Sequence, residues 1–155
     1  MWLRDSLIPR PSYLHLSFVV ALSLVWLLSQ PPRGVAAAPV LSIVPITWNV
    51  LGLDSNDVSS GPDTFPVGAR LCNTGDAPAT SIASSFVWDS TNALLNLTGP
   101  STLAQSLLGV GACTDLYYNV VVSRSSSAYD TTRRYHITAT ASGIGTVSTS
   151  TPREL

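Results

Sequence analysis

The sequence predicts an all-β domain made of two packed antiparallel sheets, on the basis of three observations. Short segments with alternating apolar and polar residues recur along the chain, which is the periodicity of strands with one buried face. Turn-forming Gly, Pro, Asn and Asp residues separate these segments about every ten residues. Ser, Thr, Val and Gly are abundant and long helix-forming charged stretches are missing, which favours strands over helices.

The first part of the chain has the layout of a secretory signal peptide. Two arginines, Arg4 and Arg10, precede an apolar run from Leu14 to Leu28 that is short for a membrane span, and small residues follow at 36–38. We expect a signal peptide at residues 1–37, cleaved after Ala37; retention as an uncleaved anchor is the alternative. The predicted location is therefore secreted, periplasmic or cell surface.

Residues 38–150 are predicted to form one domain, followed by a short tail at 151–155. From Ala38 onward the chain has five arginines, seven aspartates, one glutamate and no lysine, which gives a net charge of −3. A mildly acidic chain gives no support for binding to nucleic acid or to an anionic membrane. We therefore expect no nucleic-acid partner, and no membrane association after signal removal.

Eight segments are candidates for strands. In chain order they are 46–50, 65–73, 81–89, 93–97, 102–108, 113–122, 133–141 and 144–150. The first has an uncertain start near Leu41, and Pro45 predicts an edge position or a bulge there. The segments at 93–97 and 102–108 have the weakest apolar pattern of the eight. Seven or eight short strands separated by regular turns indicate an immunoglobulin-like (Ig-like) antiparallel β-sandwich.

Two local features support this architecture. In the turn after Leu71, Asn73 and Asp76 can bond nearby backbone, Gly75 can adopt a positive φ and Pro78 restricts φ, so the strands on either side are consecutive. Tyr135 opens the penultimate strand, where Ig-like domains often have a Tyr whose hydroxyl bonds backbone at the corner between the sheets. An ordinary core Tyr is the alternative.

The segment Asn73–Thr80 reads Asn-Thr-Gly-Asp-Ala-Pro-Ala-Thr, and Leu-Gly-Val-Gly-Ala at 108–112 precedes an alternating strand. This combination resembles a bacterial exported repeat domain of unknown function that is related to CARDB, the cell-adhesion-related domain. The resemblance covers residues 46–150 and implies an Ig-like sandwich in the cell envelope or outside the cell. It supplies no catalytic residues. Its members often occur as tandem repeats, whereas this sequence contains one copy.

Cys72 and Cys113 are predicted to form a disulfide, because paired cysteines in an exported protein are usually joined. The alternation on each strand turns its cysteine away from the core. If the two cysteines lie directly opposite each other, Arg70 faces Asp115 and Gly68 faces Tyr117, and both are favourable cross-strand pairs. Two buried free thiols are the alternative.

Catalytic and metal-binding patterns are weak. His136 is the only histidine after residue 37, it lies within a strand, and no Gly-x-Ser-x-Gly element occurs, so we expect no catalytic residue and no enzyme activity. The oxygen-bearing side chains of Asp54, Asn56, Asp57 and Asp63 are weak candidates for Ca²⁺ ligands. Local Asx turns explain the same residues, so no metal or other cofactor is expected.

The sequence therefore predicts a non-catalytic structural or adhesion-type interaction module of the bacterial cell envelope. Its partner, an unknown envelope protein or glycan, is expected to bind sheet edges and the loops Asp54–Asp63, Thr91–Gly99 and Arg124–Thr132. The alternative is a carbohydrate- or Ca²⁺-dependent binding module that uses Trp48 or Trp88, although the alternation favours burial of both. The basic and aromatic residues Arg124, Tyr129, Arg133 and Arg134 do not indicate a nucleic-acid site.

Overall fold

The computed structural model describes Gly34, residues 36–150 and residues 153–155, so the predicted signal peptide lies outside the described residues except for Gly34, Ala36 and Ala37. The described residues form nine strands and one short 3₁₀ helix, Ser126–Ala128. The strands are β1 Leu41–Pro45, β2 Thr64–Asn73, β3 Ala79–Trp88, β4 Leu95–Thr98, β5 Thr102–Leu108, β6 Cys113–Val122, β7 Arg134–Ala141, β8 Ile144–Ser148 and β9 Arg153–Glu154.

The strands form two antiparallel sheets, which confirms the predicted β-sandwich. The first sheet has the order β1-β2-β6-β4, and the second has the order β5-β3-β7-β8 with β9 also paired to β7. The first sheet matches the A-B-E-D order of Ig-like domains, and β3, β7 and β8 match C-F-G. However, β4, in the D position, precedes β5, which lies beside β3 in the position of strand C′.

The two sheets enclose an apolar core that includes Val67, Leu71, Val120 and Ile137. Aromatic rings fill the space beside these aliphatic side chains, and the rings of Phe86 and Tyr135 stack with centroids 4.8 Å apart. A buried hydrogen bond of 2.6 Å between the hydroxyl groups of Ser84 on β3 and Tyr118 on β6 joins the two sheets. Burial raises the pKa of the Tyr118 hydroxyl, and the bond from Ser84 partly offsets this.

The predicted register between β2 and β6 is confirmed at every pair named from the sequence. Cys72 lies opposite Cys113 and the two form a disulfide. Arg70 lies opposite Asp115, and two hydrogen bonds of 2.7 Å join the guanidinium group to the carboxylate. This bidentate contact lowers the pKa of Asp115. Gly68 lies beneath the ring of Tyr117, which leaves no room for a side chain on residue 68.

The first strand ends earlier than the sequence predicts. β1 is the edge strand of the first sheet, which confirms the edge position predicted from Pro45. One further ladder bond follows, from the nitrogen of Ile46 to the oxygen of Gly68 at 3.0 Å. Continuing the register would place Trp48 opposite Pro66, which has no N–H to donate, so the pairing cannot extend. The predicted strand 46–50 is therefore wrong.

The predicted tail at 151–155 is also wrong for its last residues. Arg153–Glu154 pairs with β7, and the side chain of Leu155 is buried in the core. Tyr135 is buried as well, but its hydroxyl bonds a side chain, Oδ1 of Asn49 at 3.2 Å, rather than backbone. The predicted hydrogen bond from the Tyr135 hydroxyl to backbone is therefore wrong. Asn49 and β9 occupy the space around this hydroxyl instead.

The connections at the two ends of the sandwich differ in length. We call the end that carries residues 74–78, 109–112 and 142–143 the turn end. We call the opposite end, which carries residues 46–63, 89–94 and 123–133, the loop end.

A candidate binding groove at the loop end

The three loops predicted as binding surfaces contact one another at the loop end. Arg124 donates to the carbonyl oxygens of Val58, Ser60 and Gly61 at 3.2, 3.0 and 2.7 Å. The hydroxyl of Tyr129 donates to the carbonyl of Asp54 at 2.7 Å. These bonds attach residues 46–63 to the loop between β6 and β7 at sequence separations above sixty residues.

The loop between β3 and β4 joins the same assembly. The side-chain nitrogen of Asn92 donates to the carbonyl of Thr132 at 3.1 Å, and the nitrogen of Ser123 donates to the carbonyl of Leu94 at 2.8 Å. The three loops therefore form one continuous surface, held by hydrogen bonds from side chains and backbone to backbone carbonyls.

A cavity of about 720 Å³ opens between these loops. It is lined by residues 49–53 and 55, by residues 128–132, and by Leu95, Val122 and Leu155. Leu51 and Leu53 pack against the core and supply apolar surface, whereas Asn49 and Asp130 add polar groups. The volume lies within the range of ligand-binding sites, and the lining combines apolar with polar surface.

An exposed aromatic residue lies beside this groove. The side chain of Trp48 is 90% exposed and that of Val50 is 84% exposed, so the predicted burial of Trp48 is wrong. The reason is the early end of β1, which releases residue 48 from the sheet. Trp48 directly precedes the groove residues 49–53.

Trp88 behaves as the sequence predicts. It is partly buried against the core, and its ring lies 4.8 Å from that of Phe86. The guanidinium carbon of Arg133 lies 4.1 Å from the Trp88 ring centroid. With one face covered by a cation, Trp88 has a structural position rather than that of an open platform.

The arginines that lie close together in the sequence at 124–134 have separate structural partners. Arg124 pairs with Asp63 at 3.1 Å. Arg133 donates to the carbonyls of Ser90 and Leu95 and to Oδ1 of Asn96, and partial burial lowers its pKa. Arg134 is exposed and lies opposite Glu154 on β9.

The Ca²⁺ candidates Asp54, Asn56, Asp57 and Asp63 do not converge. Oδ1 of Asp54 accepts from the nitrogen of Asn56 at 2.8 Å, and Oδ1 of Asp57 accepts from the hydroxyl and nitrogen of Ser59, which lowers the pKa of Asp57. Asp63 bonds Thr64 and Arg124. Within the described part of the chain, no three His, Cys, Asp or Glu side chains lie close enough to hold a metal ion.

His136 lies on β7 and contacts Asp89, away from the groove. Its Nδ1 is 2.8 and 2.9 Å from the two carboxylate oxygens of Asp89. The groove itself contains residues that sequence reasoning did not select, namely Asn49, Leu51, Leu53 and Leu155. The spacing of Leu51 and Leu53 before a polar run was the one local signal that could have indicated them.

Comparison with known proteins identifies no relative: this chain matches no protein-family model and no curated protein. Across the described positions, no helix has the length and apolar character needed to cross a membrane.

Proposed function

We propose that this protein is an exported, non-catalytic interaction module of the bacterial cell envelope, with an adhesion-type role. It binds an envelope protein or glycan through the groove at the loop end. The observation that carries this proposal is the convergence of two long loops, residues 46–63 and 123–133, around a groove, with Trp48 exposed directly before its first residue. The resemblance of the turn segment Asn73–Thr80 to the CARDB-related repeat domain supports the location and the module class.

The physical case rests on the loops being held in place. Loops fixed by a rigid sandwich lose little conformational entropy when a partner binds. An exposed Trp offers a large apolar area with few rotatable bonds, and Trp is enriched among residues that dominate binding energy. The bonds of Arg124 and Tyr129 provide that fixed presentation here.

A glycan is the second candidate, and the exposure of Trp48 favours it. An exposed indole face can stack on the apolar face of a sugar ring, while the carboxylate of Asp130 in the groove can accept from hydroxyl groups. The side-chain oxygen of Asn49 already accepts from Tyr135 and Arg153, which leaves its amide nitrogen for a ligand. The Ca²⁺-dependent version has no comparable support, because the candidate carboxylates are engaged with nearby protein donors.

Binding of the mature protein to envelope preparations of the source cell tests the proposal. We expect Trp48→Ala to weaken binding about tenfold or more, an effect typical of removing an aromatic residue that contacts the partner. Val110→Ala is the matched control, since Val110 is 55% exposed but lies at the turn end. Equal binding by both variants and the unchanged protein would overturn the proposed groove.

Treating the envelope preparation distinguishes the two candidates. Loss of binding after protease treatment, with periodate without effect, assigns a protein partner. The reverse pattern assigns a glycan, and added oligosaccharide should then shift the fluorescence of Trp48 in a Trp88→Phe background. Absence of binding by the unchanged protein to any envelope fraction would contradict the proposed module function.

A further inference from the structure

The segment that follows the predicted cleavage site lies against the turn end. The backbone nitrogen of Ala38 donates to Oδ1 of Asp76 at 2.6 Å, and the nitrogen of Asp76 donates back to the carbonyl of Ala38 at 3.1 Å. The nitrogen of Thr74 donates to the carbonyl of Val40 at 2.8 Å. Among the described residues, the bonds to this turn begin at Ala38, and the compact unit of the chain begins at Ala37.

Asn73 fixes the turn that receives this segment. Its side chain is buried, and its amide nitrogen donates to the carbonyls of Ala77 and Leu108 at 2.8 and 3.2 Å. Its oxygen accepts from the nitrogens of Gly75 and Val40 at 3.1 and 3.2 Å. Because each polar atom of Asn73 has two partners, the turn and Asp76 are held in one arrangement.

Gly75 makes the close approach possible. A Cβ atom on residue 75 would overlap the carbonyl oxygen of Ala38 and the backbone nitrogen of Val40. Gly75 does not adopt the positive φ that the sequence suggested. The glycine is needed here because another backbone passes directly over it.

We propose that the turn 73–76 is a docking site for the N-terminus that signal-peptide cleavage creates, with Asp76 as the partner of the Ala38 α-ammonium group. A signal peptidase hydrolyses the Ala37–Ala38 peptide bond: water adds to the carbonyl carbon of Ala37, and the C–N bond breaks. Ala37 leaves as a carboxylate, and the nitrogen of Ala38 gains a proton and becomes an ammonium group.

Cleavage thus adds a positive charge to the donor of an existing hydrogen bond and makes it an ion pair. The nitrogen of Ala38 already lies 2.6 Å from the Asp76 carboxylate in the uncleaved chain. The bond to the carboxylate is charge-assisted before cleavage, and the ammonium group adds the attraction between two opposite charges. The mature protein is therefore more stable than the same fold with a neutral nitrogen at residue 38. Cleavage one residue later would remove this partner and place Pro39 first.

The composition of the chain allows a clean test. No lysine occurs anywhere in the sequence, so the α-amino group is the only amine that an acetylating reagent can modify in the exported protein. Acetylation keeps one N–H donor on Ala38 but removes its charge. We expect acetylation to lower Tm by roughly 2–4 °C in the unchanged protein and by much less in Asp76→Asn.

Two further measurements complete the test. The loss of Tm on acetylation should become more similar in the unchanged protein and Asp76→Asn when the salt concentration is 1 M, because the screening length is then about 3 Å. Asp57→Asn, a substitution of an exposed aspartate at the loop end, should respond to acetylation as the unchanged protein does. Equal Tm losses in the Asp76→Asn and unchanged proteins, or N-terminal sequencing that starts at a residue other than Ala38, would overturn the proposal.

Discussion

The turn end and the loop end close the same two sheets with different kinds of bond. At the turn end, the connection at 74–78 is organised by Asn73, whose side chain bonds Gly75 and Ala77 within four residues in sequence. At the loop end, residues 46–63 are held by Arg124 and Tyr129, more than sixty residues away in sequence. The comparison separates a turn whose conformation is set in part by its own neighbours in sequence from a loop that is held by residues distant in sequence.

The same comparison separates the residues that should contribute most to folding stability from those proposed to bind a partner. Cross-links and close backbone approaches lie at the turn end, whereas the groove and the most exposed Trp lie at the loop end. Substitutions at the turn end should therefore cost more folding stability than substitutions at the loop end. Three variants, in order of decreasing expected effect, test this division.

Removing the disulfide should have the largest effect. The bond between Cys72 and Cys113 closes a loop with a sequence separation of 41. Replacing both cysteines with serine should lower the free energy of unfolding by about 4 kcal/mol, because the unfolded chain regains the freedom that the cross-link removed. Urea unfolding of the oxidised protein and of the double variant measures this. Two reactive thiols per unreduced chain under denaturant would contradict the bond.

Gly75→Ala should have an intermediate effect. The new methyl group would displace the segment 38–40 and weaken its several hydrogen bonds to the turn, at a cost of about 2–3 kcal/mol in the free energy of unfolding. Gly109→Ala is the control at the same end, because its nearest neighbour would be the Cβ of Ala112 at 3.9 Å. A similar loss of unfolding free energy in Gly75→Ala and Gly109→Ala would show that the close approach of residues 38–40 does not explain the need for glycine at residue 75.

Arg124→Ala should have the smallest effect on unfolding, about 1 kcal/mol, since its bonds lie at the exposed loop end. Its main result should be local: faster amide hydrogen exchange within residues 54–63, which Arg124 ties to the β6–β7 loop. Arg134→Ala is the control for removing an exposed arginine. Unchanged exchange in residues 54–63 would mean that other contacts hold this loop.

The register between the cysteines shows how far local pattern extends. Alternation identified the outward faces of β2 and β6, and the pairs of Arg70 with Asp115 and Gly68 with Tyr117 then followed from a single alignment. The same alternation failed at Trp48, because a strand also needs donors on its neighbour, and Pro66 lacks one. Alternation predicts which face of a sheet a side chain occupies if its segment pairs with a neighbouring strand. It does not predict whether the segment pairs.

The sequence by itself determined the all-β class, most strand positions and the cysteine pairing, since strand periodicity and turn chemistry are properties of a few neighbouring residues. The tertiary structure alone decided the exposure of Trp48, the addition of β9 beside β7 and the groove at the loop end. It also showed that residue 75 must be glycine because the backbone of residues 38–40 lies directly against it. These features depend on contacts between residues distant in sequence, and those contacts form only when both sheets have assembled.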